Sequence, residues 1–155
     1  MRYIVEGKVT SSDIETADRL SRRRARMIPV LAAIFLAGQA AYFSQDRAER
    51  LVDHVKIGAW LIWVLVLLVV LETGGGFIHS KKVRALINDE ITRANRQRAY
   101  AIGFWTAMGV GIGTYVVAMF EPVTSREAIH LIVTAAIGGA LLMFGLLERR
   151  AHRDG

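Results

Sequence analysis

The stretch IGAWLIWVLVLLVVLETGGGFI, residues 57–78, decides the fold class. A water-soluble helix needs one polar face, and this run has none. At about 1.5 Å per residue it covers about 33 Å as a helix, enough for a hydrocarbon core of roughly 30 Å. Its single charge is Glu72. Three further runs, residues 27–44, 99–120 and 129–147, carry no formal charge. With Glu72 as the one exception, charge is confined to the segments outside the runs, a segregation that excludes an ordinary soluble helical domain. The 155 residues read as a single all-α membrane domain, a bundle of four transmembrane helices.

Cysteine is absent, so disulfide staples, thiolate-bound zinc and iron–sulfur clusters are excluded. The net charge of +6 and pI near 10.2 acquire meaning only from where the basic residues fall. Alternate segments hold 16 and 4 of the 20 Lys and Arg. The positive-inside rule reads this bias as orientation, with both termini and the 79–98 loop cytoplasmic. Nucleic acid is therefore not an expected partner. Anionic headgroups of the inner leaflet are a better match, at about 1 kcal/mol per suitably placed Lys or Arg. The polar residues 1–26 do not resemble a cleavable signal, so the first run is expected to persist as a span, with Pro29 in its first turn, where a missing amide hydrogen matters little. Interfacial aromatics mark the span ends: Tyr42 and Phe43, Trp60 and Trp63, and Tyr100, Phe104 and Trp105.

Outside the spans, Ser12 and Glu15 fit a capping box that would open a cytoplasmic amphipathic helix running along the inner surface toward span one. The first ten residues suit an extended segment. Val83, Leu86, Ile87, Ile91 and Ala94 recur at helical spacing, and no Gly or Pro intervenes between Phe77 and Ile102. The loop is therefore expected to be helical and to extend span three, with Asp89 and Glu90 paired to Arg93. Residues 148–155 form a cytoplasmic tail.

Twelve of the 14 glycines fall in the spans. Small residues permit the close helix approach from which membrane bundles draw dispersion energy. Gly109 and Gly113 form a GxxxG pair, Ala135 and Gly139 a related pair, and Ala33, Ala37 and Ala41 a stripe. Tight internal packing is the plain reading, and a dimer seam at Gly109 and Gly113 is the sharper one. Glu72 is either an intramembrane functional acid, with His79 and Thr106 as neighbours, or an interfacial carboxylate awaiting Lys81, Lys82 or Arg84. Gln39, Thr114 and Thr134 share a depth that allows interhelical hydrogen bonds, and Gln39 is expected to face the interior. His54 and His130, with Asp53, are the remote candidate for a metal or haem site. No phosphate loop, Ser-His-Asp spacing or HExxH pattern is present. Neither a catalytic set nor a cofactor is expected.

In layout, with the 88–98 segment flowing into an aromatic and glycine-rich third span, the chain resembles small four-span bacterial inner-membrane proteins of uncharacterised function. The resemblance implies a bacterial inner membrane and transfers no active site. The expected function is association with inner-leaflet lipid, or with a membrane or cytoplasmic protein partner or a second copy. The alternatives are an oligomeric transporter or channel subunit using Glu72 and, more remotely, a haem or quinone protein using His54 and His130.

Overall fold

The computed structural model describes residues 11–43, 50–74, 86, 88–151 and 153. Among them lie four helices, α1 (Ser11–Phe43), α2 (Arg50–Thr73), α3 (Glu90–Val117) and α4 (Ser125–Ala151). Each is long and apolar enough to cross a membrane, the make-up of a multi-pass membrane protein. The packing suits a solvent of lipid. Ile62, Leu65 and Val69 on α2, and Phe104, Ile112 and Tyr115 on α3, point outward. In water such surfaces would bind one another, whereas against hydrocarbon they cost nothing.

α4 is the hub. It packs along α3 and along α1, while α2 stands farther off and reaches the core through the large side chains Trp60, Trp63, Val64, Leu67 and Leu71. The close crossings occur at glycines of α3 and α4. A Cβ on Gly103 would lie 2.8 Å from the Ala136 carbonyl oxygen, one on Gly138 2.6 Å from Leu36, and one on Gly139 3.0 Å from the Thr106 hydroxyl. The stripes expected to pack internally do so only on α4. A Cβ on Gly109 or Gly113 would meet nothing within 4 Å, and Ala33, Ala37 and Ala41 are exposed. Helix phase decides this outcome. The buried stripe of α1 runs through Ala17, Arg24, Ala25, Ile28, Ala32 and Phe35, leaving the alanines on another face.

Four expectations about boundaries are corrected. α2 stops at Thr73, because Gly74 takes a left-handed φ of 62° that turns the chain out of the helix, and residues 75–78 of the expected span lie outside the described residues. The loop helix does not run unbroken from residue 81: α3 begins at Glu90, where Asp89 serves as N-cap and accepts from the Thr92 amide at 2.8 Å. That cap occupies the carboxylate expected to pair with Arg93. The helix expected over residues 12–26 is present, and rather than being a separate element it forms the first half of α1 without a break, with Glu15 paired to Arg19 at 3.3 Å. A reciprocal capping box is found at α4, where the Thr124 amide donates to Glu127 Oε2 at 3.0 Å and the Glu127 amide to Thr124 Oγ1 at 3.2 Å.

The fourth correction concerns Pro29, which lies deep inside α1 rather than in a first turn. A proline there leaves the carbonyl four residues earlier without its helical donor. That carbonyl belongs to Ala25, and Arg149 Nε from α4 donates to it at 3.1 Å. The proline ring also packs against Gly145, whose hydrogen could not be replaced by a methyl group 2.5 Å from Pro29 Cγ. One α1–α4 crossing therefore accommodates both consequences of the proline, its bulk and its missing donor.

Candidate functional site

The most concentrated polar chemistry lies where α1 and α3 begin and α2 and α4 end, hereafter the basic end. Arg24 of α1 and Glu148 of α4 form an ion pair with side chains only 5% and 2% exposed. The same guanidinium nitrogen, Nη2, donates to Thr92 Oγ1 of α3 at 2.9 Å, and Asn95 Nδ2 of α3 donates to Glu148 Oε1 at 3.2 Å. Both carboxylate oxygens thus accept hydrogen bonds. Below the guanidinium lies the Phe144 ring, 5.8 Å from the Arg24 Cζ to its centroid, a cation–π distance.

α2 joins through its terminus. A Cβ on Gly74 would sit 2.9 Å from Arg24 Nη1 and 3.5 Å from Arg96 Nη2. Only a glycine admits both guanidinium groups to the carbonyl end of α2, where the helix dipole favours positive charge. Arg96 is itself held by a hydrogen bond to Asn88. All four helices therefore meet at one ionic node.

At the opposite end, Gln39 of α1 faces α4, and its Oε1 lies 2.6 Å from His130 Nε2. The imidazole stacks on Trp60 of α2, with centroids 4.4 Å apart and planes inclined by 20°. Among the three expected partners at this depth, only Gln39 is engaged in this cluster. Thr134 is buried and its hydroxyl forms no hydrogen bond among the described residues, and no hydrogen bond joins Thr114 to either. The Trp60 indole nitrogen is likewise buried without a partner among them.

Glu72 lies one residue from the end of α2, on the outside of the bundle, and accepts a hydrogen bond from the Tyr100 phenol of α3. It does not meet Thr106, whose hydroxyl donates to the Ile102 carbonyl at 2.8 Å and whose side chain packs on Gly139. The residues expected near Glu72 otherwise, His79, Lys81, Lys82 and Arg84, lie outside the described residues, as do the first ten residues and the side chains of Tyr42, Phe43, Asp53 and His54. Gly109 and Gly113 contribute to no site among the described residues.

The node was missed because Arg24 sits inside the run Arg22, Arg23, Arg24 and Glu148 in a charged tail. The signal is helix phase carried past the last apolar residue. Glu148 stands four after Phe144 and seven after Leu141, and Arg24 four before Ile28, so each continues a buried stripe.

Comparison of the chain with family models, curated proteins and solved structures gives no match. The function is read from the geometry.

Proposed function

We propose that the chain is a non-enzymatic, multi-pass protein of a bacterial inner membrane that acts by association, using its basic end to hold anionic headgroups of the cytoplasmic leaflet. One observation carries this reading. Arg24 is neutralised inside the node, whereas Arg22, Arg26, Arg93, Arg98, Arg150 and Arg153, from α1, α3 and the end of α4, are exposed at the same end. None of the six forms an ion pair among the described residues. Guanidinium groups match phosphate oxygens two at a time, and residues of three helices and the turn after α4 present them at the same end. The positive-inside rule supports reading that end as cytoplasmic.

The test is lipid selectivity of the full chain in nanodiscs of equal phosphatidylcholine and phosphatidylglycerol. Native mass spectrometry of the released protein should find phosphatidylglycerol retained preferentially, and replacement of Arg22, Arg26, Arg93 and Arg98 by Gln should erase the preference. Equal retention of both lipids by the unaltered chain would refute headgroup binding. Capture of a specific protein through the same arginines would instead select the partner reading.

The alternative of an oligomeric transporter or channel subunit is compatible with an outward-facing Glu72, but the hydrogen bond from Tyr100 is the only polar contact of that carboxylate among the described residues, and it marks no pathway. The haem alternative is weakened by Gln39, which occupies His130 Nε2.

A further inference from the structure

Glu72 is an anomaly that the arginine-rich end does not absorb. Its carboxylate is exposed, accepts a hydrogen bond from the neutral Tyr100 phenol, and forms no ion pair among the described residues. It also stands at the carbonyl end of α2, where the helix dipole adds negative potential. Among the described residues the nearby guanidinium groups hydrogen-bond elsewhere: Arg24 to Glu148 and Thr92, and Arg96 to the neutral amide of Asn88, so Arg96 keeps its charge but forms no ion pair with Glu72. An ionised carboxylate beside hydrocarbon is costly until a cation neutralises it.

The surroundings specify what kind of cation. Leu65, Leu68 and Val69, all exposed, precede Glu72 by seven, four and three residues and so share its helical face. On α3, Phe104 and Met108, also exposed, follow Tyr100 at four and eight residues. Two apolar tracks therefore lead away from the hydrogen-bonded acid–phenol pair toward the middle of the spans. A hydrated inorganic ion has no use for such tracks, whereas an amphiphile does. The half-exposed Tyr100 ring adds a face suited to an ammonium group.

We propose that Glu72 and Tyr100 form a binding site for the ammonium head of an amphiphile, with its chain lying along the exposed stripes of α2 and α3. Glu72 supplies the counter-charge. Tyr100 fixes the carboxylate by donating to one oxygen, which leaves the other for the ligand. The shared chemistry is an alkylammonium, whether from an amine-headgroup lipid or from a free amphiphilic amine. The site differs in sign from the exposed arginines, which select the opposite charge.

Binding of radiolabelled dodecyltrimethylammonium to the full chain in maltoside micelles, with protein-free micelles subtracted, tests the proposal. Saturable uptake is expected, with affinity lowered about ten-fold or more in Glu72→Gln, the scale set by losing the coulombic attraction of a carboxylate for the quaternary ammonium. Tyr100→Phe, which keeps the ring and loses the donor, should show a smaller loss. Uptake that never saturates, or equal affinity in Glu72→Gln, overturns the site. If that variant fails to fold, competition on the unaltered chain decides. Displacement by dodecylamine but not by dodecanol supports a charge-selective site, and equal displacement by both overturns it. The source follows from nanodiscs of phosphatidylethanolamine and phosphatidylglycerol. Retention of phosphatidylethanolamine that depends on Glu72 identifies the lipid, and its absence beside intact dodecyltrimethylammonium binding identifies a free amine.

Discussion

Glu148 and Arg24 constrain each other. Neutralising either leaves the other charge buried among Phe144, Thr92 and Asn95 without its partner, a situation that costs about 3–5 kcal/mol. Glu148→Gln should therefore lower the unfolding midpoint in detergent sharply, as should Arg24→Met. The double variant Arg24→Met/Glu148→Leu removes both charges at once and should recover most of the loss. A double variant no more stable than either single one would show that the pair is not the source of the effect. Gly145 allows a similar comparison by size. Gly145→Ala drives a methyl group against the Pro29 ring and should cost about 1–3 kcal/mol as an overpacked site, with Pro29→Ala relieving much of it. Gly109→Ala meets open space, and should be neutral or mildly stabilising through helix propensity, by up to about 1 kcal/mol. A shift in oligomeric state on Gly109→Ala, read by light scattering, would instead place that glycine in a seam between copies.

The elements differ in how plainly the sequence announces them. Four helices were legible from apolar run length alone, because the bilayer demands that length. Their ends were not, since ends are set by local groups that hydropathy ignores. α2 ends where Gly74 takes a left-handed conformation, and α3 starts where Asp89 caps it. Gln39 was legible as inward-facing, because an amide in a span seeks a partner. That the partner is His130 was not, since it depends on which face α4 offers α1. Replacing Gln39 by Leu should cost about 0.6 kcal/mol and at most roughly 1.7, the range for interhelical hydrogen bonds in membranes. A much larger loss of midpoint would mean that Gln39 also orders the His130–Trp60 stack. Asp89→Ala should cost about 1 kcal/mol as a lost N-cap. Hydrogen exchange at Thr92 and Arg93 should report it, and unchanged protection there would mean that the cap is dispensable.

For the whole molecule, orientation and packing are separate questions. The 16 to 4 division of basic charge predicts that reporters fused at Gly155 and near Asp46 read opposite compartments, the former cytoplasmic, and matching readouts would overturn that topology. Packing centres on α4, and this could not be seen in hydropathy, because all four spans are apolar. Glycine content hinted at it, yet the glycines of α3 divide between inward Gly103 and outward Gly109 and Gly113. Phase, which the runs of charge obscured, separates the two kinds.

The ionic node also has a history in time. Arg24 and Glu148 are 124 positions apart, so at roughly 5–20 residues per second a ribosome delivers the acid about 6 to 25 seconds after the base. Throughout that interval the first helix carries a cation whose counter-ion does not yet exist. It must be chaperoned, or kept near the headgroups, until the fourth helix arrives. A chain broken off before Glu148 would keep an unquenched arginine in the place where protease surveillance of half-built membrane proteins looks. Pulse-chase measurement should find a chain ending at Leu147 degraded much faster than the full chain, and Arg24→Met should prolong its life.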